Sequence, residues 1–448
     1  MKSLRDLLFS INKFVWGPPT LLLLLVTGII LTLRTHFFQI RGMGVAIRSL
    51  LSGHDTSDGI TPLQSVSAAL SGTLGTGNIV GVAGAIALGG PGAVFWMWVS
   101  AFFSMIIKYA EIVLSVHYRE RLSDGTLAGG TMYVIKNALP HSYRFLATIF
   151  ALFGVAAAFG VGNLTQINTL TASNVALLRE YVLLHPDNEV YIKLTIGTLC
   201  AFLLFKALKS DRSTARFCER LIPIAALLYA VITLGAIIKN YRELPRVFAE
   251  IFTAAFSPRA VTGGAVGSAY VGLRVGIGRG IFSNEAGMGT APIAYSCAGG
   301  TPRELGALGI LEVFVDTVIV CTLTALTVLC VGDIPYGTDL GAALTLSALT
   351  AVWGRGVVLL FCPAVCLFAF SSTVGWGLYG TRFVGYLWGS RAVQIFKTIF
   401  PLACIAGALF RADTVWLAAE IFNGLMALPN TFVLLMLSDS AQLNRVKS

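Results

Sequence analysis

Apolar residues along this chain gather into runs of about twenty. Short stretches holding most of the Lys, Arg, Asp and Glu separate them. A run of that length with few charges is what a helix needs to cross the hydrocarbon core of a bilayer. The pattern predicts eleven spans, at about 15–33, 61–88, 93–117, 145–176, 191–208, 217–238, 263–295, 305–331, 356–386, 393–410 and 414–437. Two shorter stretches, 243–256 and 340–352, are amphipathic, and the first is expected to lie along the membrane surface. Phe95, Trp96 and Trp98, at the start of the third span, read as interfacial aromatics.

Two spans are unlike the rest. The second contains Ser71-Gly-Thr-Leu-Gly-Thr-Gly-Asn-Ile-Val-Gly-Val-Ala-Gly84, and the seventh contains Val275-Gly-Ile-Gly-Arg-Gly-Ile-Phe-Ser-Asn-Glu-Ala-Gly-Met-Gly-Thr290. Glycine costs about 1 kcal/mol relative to alanine inside a helix, so both spans are expected to break. A broken backbone at membrane depth is tolerated only where protein buries it or where it lines a cavity. Gly77-Asn78-Ile-Val-Gly81 and Ser283-Asn284-Glu-Ala-Gly287 share the pattern small-Asn-x-x-Gly, about 200 residues apart. Each break opens a block of five spans, 61–238 and 261–438. Five is odd, so the second block enters from the opposite face, and paired broken spans in an inverted repeat point to a transport site. Residues 1–60 then hold one extra span and a connector, and 439–448 form a tail.

Composition narrows the class. The 448 residues are 56% hydrophobic and only 12% charged, with mean hydropathy +0.78; soluble domains carry about 25% charge. The net charge of +10 sits in loops and forms no basic tract for nucleic acid. With the N-terminus outside, the cytoplasmic segments hold 18 Lys and Arg and the opposite side 11, which favours N-out and C-in. The eight cysteines lie mostly in apolar runs, with no metal-type cluster. The Leu21–Leu25 run lacks the small-residue cleavage site of a signal peptide.

The residues also carry a resemblance. Ser71 to Ala83, Gly89-Gly-Pro-Gly-Ala-Val-Phe-Trp-Met-Trp98, Lys108-Tyr-Ala-Glu111, Gly278-Arg-Gly-Ile-Phe-Ser-Asn-Glu-Ala-Gly-Met-Gly289 and Phe370-Ser-Ser-Thr-Val-Gly-Trp376 resemble the signature of the alanine or glycine:cation symporters, over nearly the whole chain. The resemblance implies an all-α polytopic membrane protein with a leucine-transporter-like five-plus-five inverted repeat and one added N-terminal helix. It implies a monomer in a bacterial or archaeal cell membrane, surrounded by lipid. Its activity would be uptake of a small neutral amino acid (alanine, D-alanine or glycine) coupled to Na+ or, less often, to protons, with no other cofactor and no enzymatic step.

The chemistry of such a site is specific. Freed amides at a half-helix N-terminus attract a carboxylate, and freed carbonyls at a half-helix C-terminus attract an ammonium or a cation. Gly75, Thr76, Gly77 and Asn78 would supply the first break, and Phe282, Ser283 and Asn284 the second. Asn78 and Asn284 either touch substrate or cap the breaks. A glutamine in the context of Gln166 contacts the amino acid in the resembled family; the alternative is an interhelical hydrogen bond. Na+ wants oxygen ligands, and the same architecture would place it among Gly75, Thr76, Ser372 and Thr373 unless those hydroxyls bond back to their own helix. Trp376 and Phe282 would fill the cavity and admit only small side chains.

Charges inside spans are functional candidates by default. Lys108 and Glu111, three residues apart, are expected to pair with each other or across helices, and Arg279 likewise. Glu285 and Asp316 stay open as gate or coupling residues. Other classes fit less well. Histidines 36, 54, 117, 141 and 185 are scattered and form no catalytic cluster, and no Gly-Lys-Ser/Thr loop is present for ATP. A channel would build its filter from fewer spans by oligomeric symmetry.

Overall fold

A computed structural model describes residues 4–51, 60–122, 125–181, 188–257, 269–338, 341–410, 412–439 and 443. The predicted tail beyond 439 lies almost wholly outside these residues, as do positions 263–268 at the start of the seventh span.

The chain opens with amphipathic α1 (Leu4–Val15) and apolar α2 (Pro18–Arg34), followed by α3 (Phe38–Leu51). The second span is α4 (Pro62–Thr73), a π-helical turn at Gly77–Gly81, and α5 (Val82–Gly89), with its two halves bent by 51°. The block continues with α6 (Gly92–His117), a hairpin pairing Glu120 with Ala128 and Arg121 with Leu127, and α7 (Thr131–Ala138). Then come α8 (Arg144–Phe159), a π turn at Gly160–Leu164, α9 (Thr165–Tyr181), α10 (Glu189–Ala207) and α11 (Asp211–Lys239).

Surface helix α12 (Leu244–Phe256) precedes the second broken span, α13 (Ala269–Asn284) and α14 (Ala291–Ser296). The remainder is α15 (Pro302–Val313), a π segment at Phe314–Cys321, α16 (Thr322–Val331), short α17 (Ala342–Trp353), α18 (Val358–Leu409) and α19 (Ala412–Met436). Among the described residues eight helices are long and apolar enough to span a membrane, and nine if the bent pair is one span. Gly389, at φ 79° and ψ −173°, divides the 52-residue α18 where two spans are predicted.

Two details fix how the ends meet. Thr61 and Thr301 each cap a helix through a reciprocal bond with Gln64 or Glu304, and each is followed by proline, the residue best suited to a first helical turn. Beside them the backbone of Ile60 forms an isolated parallel bridge with residues 297–299: its N–H donates to Cys297 at 3.1 Å and its carbonyl accepts from Gly299 at 3.2 Å. The entry to the first broken span is therefore tied to the exit of the second, at the end of the molecule opposite α1. At the α1 end, Phe95, Trp96 and Trp98 stack with Phe248, Phe252 and Phe256 of α12. They anchor the surface helix.

Candidate functional site

The helix of α4 runs out at Leu74, whose ψ of 82° is not helical. The Gly75 N–H folds back to the Thr73 carbonyl at 2.9 Å and to Asn78 Oδ1 at 3.2 Å, so Asn78 caps the break from within. Its amide nitrogen reaches across to the second break. It donates to Ser283 Oγ at 3.0 Å and to Asp316 Oδ1 at 2.7 Å. Ser283 and Thr317 donate to the other Asp316 oxygen at 2.9 and 2.8 Å. Asp316 is fully buried in the π segment, with neutral donors around it and no salt bridge among the described residues. A buried carboxylate is expensive unless hydrogen-bonded or paired, and this one is held by hydrogen bonds alone.

On the other flank of the first break, the Thr76 hydroxyl and N–H donate to Gln166 Oε1 at 3.1 and 3.4 Å. The Ser372 hydroxyl donates to the Gly72 carbonyl at 3.3 Å. A Cβ on Gly75 would lie 3.3 Å from both Gln166 Oε1 and Ser372 Oγ, whereas one on Gly77 would meet nothing within 4 Å. Gly77 thus faces open space, at the opening turn of a half-helix where the Ile79 and Val80 amides bond to the Thr76 carbonyl at 3.2 and 2.8 Å.

The second break has a different build. Glu285, Gly287 and Gly289 have φ of 54°, 88° and 72°. The first of these is a left-handed conformation that costs a non-glycine residue about 1–3 kcal/mol. Glu285 is held by Trp376 Nε1 at 3.2 Å and Thr290 Oγ1 at 2.7 Å. Glu111 Oε1 accepts from the Gly289 N–H at 3.1 Å and from Asn430 Nδ2 at 2.5 Å, and that amide also donates to the Gly287 carbonyl at 2.8 Å. Lys108 pairs with Glu312 at 3.2 Å, both fully buried, and Tyr295 donates to the same carboxylate.

The family model described as the sodium:alanine symporter family matches residues 1–446. The chain belongs to that family. Over 442 residues this symporter is 39% identical to the sodium/alanine symporter AgcS of Methanococcus maripaludis, covering 97% of this chain and 94% of that one. It is 33% identical to the amino-acid carrier protein AlsT of Bacillus subtilis, across 98% of this chain and 91% of the relative. Among solved structures, MhsT in complex with L-phenylalanine aligns with TM-score 0.59 at 15% identity, over 88% of this chain and 98% of the other. A Na+-coupled sialic acid symporter aligns with TM-score 0.54 at 13% identity, over 95% and 88%. The fold is the leucine-transporter-like one, and the symporter carries amino acids rather than catalysing a reaction.

The structure brings together Gly75, Thr76, Gly77, Asn78, Gln166, Ser283 and Ser372. Asn284 stands one step away: its Oδ1 caps the Ala286 N–H at 3.0 Å and its Nδ2 donates to Thr317 at 3.1 Å. Thr373, like Ser371, bonds back to its own helix, at Ala369 and Phe368. Phe282 faces the α1 end, edge-on to Trp16 at 5.7 Å. Lys108 and Glu111 each find a partner on other helices, because both point into the bundle where Glu312 and Asn430 await them.

Two residues escaped the sequence reading. Glu420 accepts from Arg279 at 3.0 Å and Asn12 at 2.9 Å, and its backbone carbonyl takes Trp16 Nε1 at 3.0 Å. It is a carboxylate within the eleventh span, so the charge rule applied there would have found it. Asn430 carries no charge and gave no signal beyond a polar residue in an apolar run.

Proposed function

We propose that this symporter imports a small neutral amino acid, alanine, D-alanine or glycine, coupled to Na+ by alternating access. The observation that carries the reading is the Asn78 bridge, which joins both broken spans to one buried carboxylate. The substrate carboxylate is received by the amides around Gly75 to Asn78, with Thr76 and Gln166 beside it, and its ammonium by carbonyls of the breaks. Phe282 and Trp376 limit the side chain; Asn284 supports the second break from behind. The relative named for alanine supports the substrate class.

Na+ is cargo here, and two places offer oxygen. One is the Gly75–Thr76 backbone with Ser372, where Thr373 joins only by turning its hydroxyl from Ala369. The other is Asp316 with Ser283 and Thr317, whose oxygens already converge within 3 Å of the carboxylate. Asp316 is the coupling carboxylate. In this reading the α1 end faces outside, since the opposite end carries most of the loop Lys and Arg.

Proteoliposomes with the purified symporter should accumulate labelled alanine, glycine and D-alanine under a sodium gradient. No accumulation under either a sodium or a proton gradient removes the reading. Asp316→Asn should abolish sodium-driven uptake; undiminished sodium dependence would take Asp316 out of the coupling role.

A further inference from the structure

A cavity of about 400 Å³ opens at the end of the molecule opposite α1, between α3 and the start of α15. Val45, Arg48 and Ser49 form one wall, and Thr301, Arg303 and Glu304 the other. The apolar span that contains α2 ends at Arg34, and the span that opens with α15 begins at Pro302. Both leave the hydrocarbon here, so the cavity lies at the level of the lipid headgroups. α3 presents two faces. Phe38, Gly42, Ala46 and Ser49 are buried, and a Cβ on Gly42 would come within 2.5 Å of Ile310 in α15. On the outer face Phe37, Ile40, Ile47 and Leu51 are exposed, with Arg41 and Arg48 among them. Apolar side chains mixed with arginine suit the boundary between acyl chains and headgroups. Two guanidiniums reach the cavity. Arg303 is half-buried and stands 5.6 Å from the centre of the Phe38 ring. Arg48 is exposed and makes no ion pair among the described residues. Glu304 is turned to the helix cap, where one oxygen accepts the Thr301 N–H at 3.1 Å and the Thr301 hydroxyl at 2.8 Å. The positive end of the α15 dipole adds to the two arginines.

We infer that this cavity holds the headgroup of an anionic phospholipid. Arg48 and Arg303 take its phosphodiester through charge-assisted hydrogen bonds, for which the forked guanidinium is suited. Its acyl chains lie along Ile40, Ile47 and Leu51. A free phosphate would satisfy the same guanidiniums, but it would leave that exposed apolar stripe uncovered; the stripe is what favours a lipid. The bound lipid joins α3 to the N-terminus of α15, two residues beyond the Gly299 that pairs with Ile60. It thereby braces the end of the molecule where the two broken spans meet.

Thermal unfolding of the delipidated symporter in detergent tests this, with phosphatidylglycerol, phosphatidylcholine or inorganic phosphate added. Phosphatidylglycerol should raise the unfolding temperature of the wild type by about 3–6 °C, and the other two should leave it unchanged. In Arg48→Gln and in Arg303→Gln the phosphatidylglycerol concentration that gives half the shift should rise about 10-fold or more. Arg48 is exposed, so its replacement does not threaten folding and decides the matter alone if Arg303→Gln fails to fold. Arg41 lies on the same face but outside the cavity wall and donates to the His36 carbonyl at 2.7 Å; Arg41→Gln should respond to the lipid as the wild type does. An equal shift with phosphatidylcholine, an undiminished response in Arg48→Gln, or the same loss in Arg41→Gln overturns the site. A shift with inorganic phosphate as large as that with the lipid assigns the cavity to a free anion and overturns the proposal.

Discussion

The two breaks share a sequence pattern and work by different means. The first keeps ordinary backbone angles. It interrupts the helix with glycines and a π turn, and its one capping side chain, Asn78, spends its free amide on the opposite break. The second turns the chain through three left-handed residues and is braced from outside by Glu111, Asn430, Thr290 and Trp376. The first break leaves space only at Gly77 and packs Gly75 against Gln166 and Ser372; the second is backbone packed into a cage of side chains. Glycine leaves room at Gly77 in the first, and glycine in the second serves conformation.

The sharpest way to break this comparison is to swap the two asparagines for leucine. Asn78→Leu removes donors from a buried carboxylate and severs the bridge between breaks. At about 1–3 kcal/mol for each group left unsatisfied, uptake should fall about 100-fold or more. Asn284→Leu should cost about 10-fold, because half its bonding is a local cap. Equal losses in the uptake assay would mean that the breaks do not differ. Next in size, Glu111→Ala strips the brace from Gly289 and Asn430. It should lower stability by about 2–4 kcal/mol, read as a drop in thermal unfolding temperature in detergent, whereas Glu111→Gln keeps an acceptor and should cost under about 1 kcal/mol.

Alanine at single glycines separates access from conformation. Gly287→Ala forces a Cβ into a left-handed position against Leu24. It should cost about 1–3 kcal/mol of stability. Gly77→Ala meets no neighbouring atom, so stability should stay within about 0.5 kcal/mol while uptake falls several-fold. An unchanged rate for Gly77→Ala would remove the first break as the substrate surface. The smallest expected effect is on selectivity. Trp376→Ala should admit larger amino acids at a modest loss of alanine uptake, and an unchanged substrate range would remove Trp376 from the pocket wall.

Much of this was legible in the sequence, for a physical reason. Span length and helix-breaking glycine are local properties, and in lipid they have few alternative meanings. Hence the positions of the broken spans, α12 and α17 could be read directly. Partner choice is different. Nothing in the spacing of Lys108 and Glu111 says that they turn to Glu312 and Asn430, roughly 200 and 320 residues away. Thr373 shows the same limit from the other side, since a hydroxyl in a helix has its own carbonyls always within reach. The two left-handed glycines of the second break were visible as glycines, but Glu285 in the same conformation was not.

The paired backbone of Ile60 and residues 297–299 bears on how the two ends share their time. In the proposed alternating-access cycle, opening the end of the molecule opposite α1 parts the entry of one broken span from the exit of the other. Two hydrogen bonds at about 0.5–1.5 kcal/mol each hold them together and contribute about 1–3 kcal/mol, or roughly 5- to 150-fold, in favour of the closed arrangement. Under that reading these two bonds disfavour the form open on that side at rest. Any ligand that favours the open form must recover that deficit by binding it more tightly than the closed one.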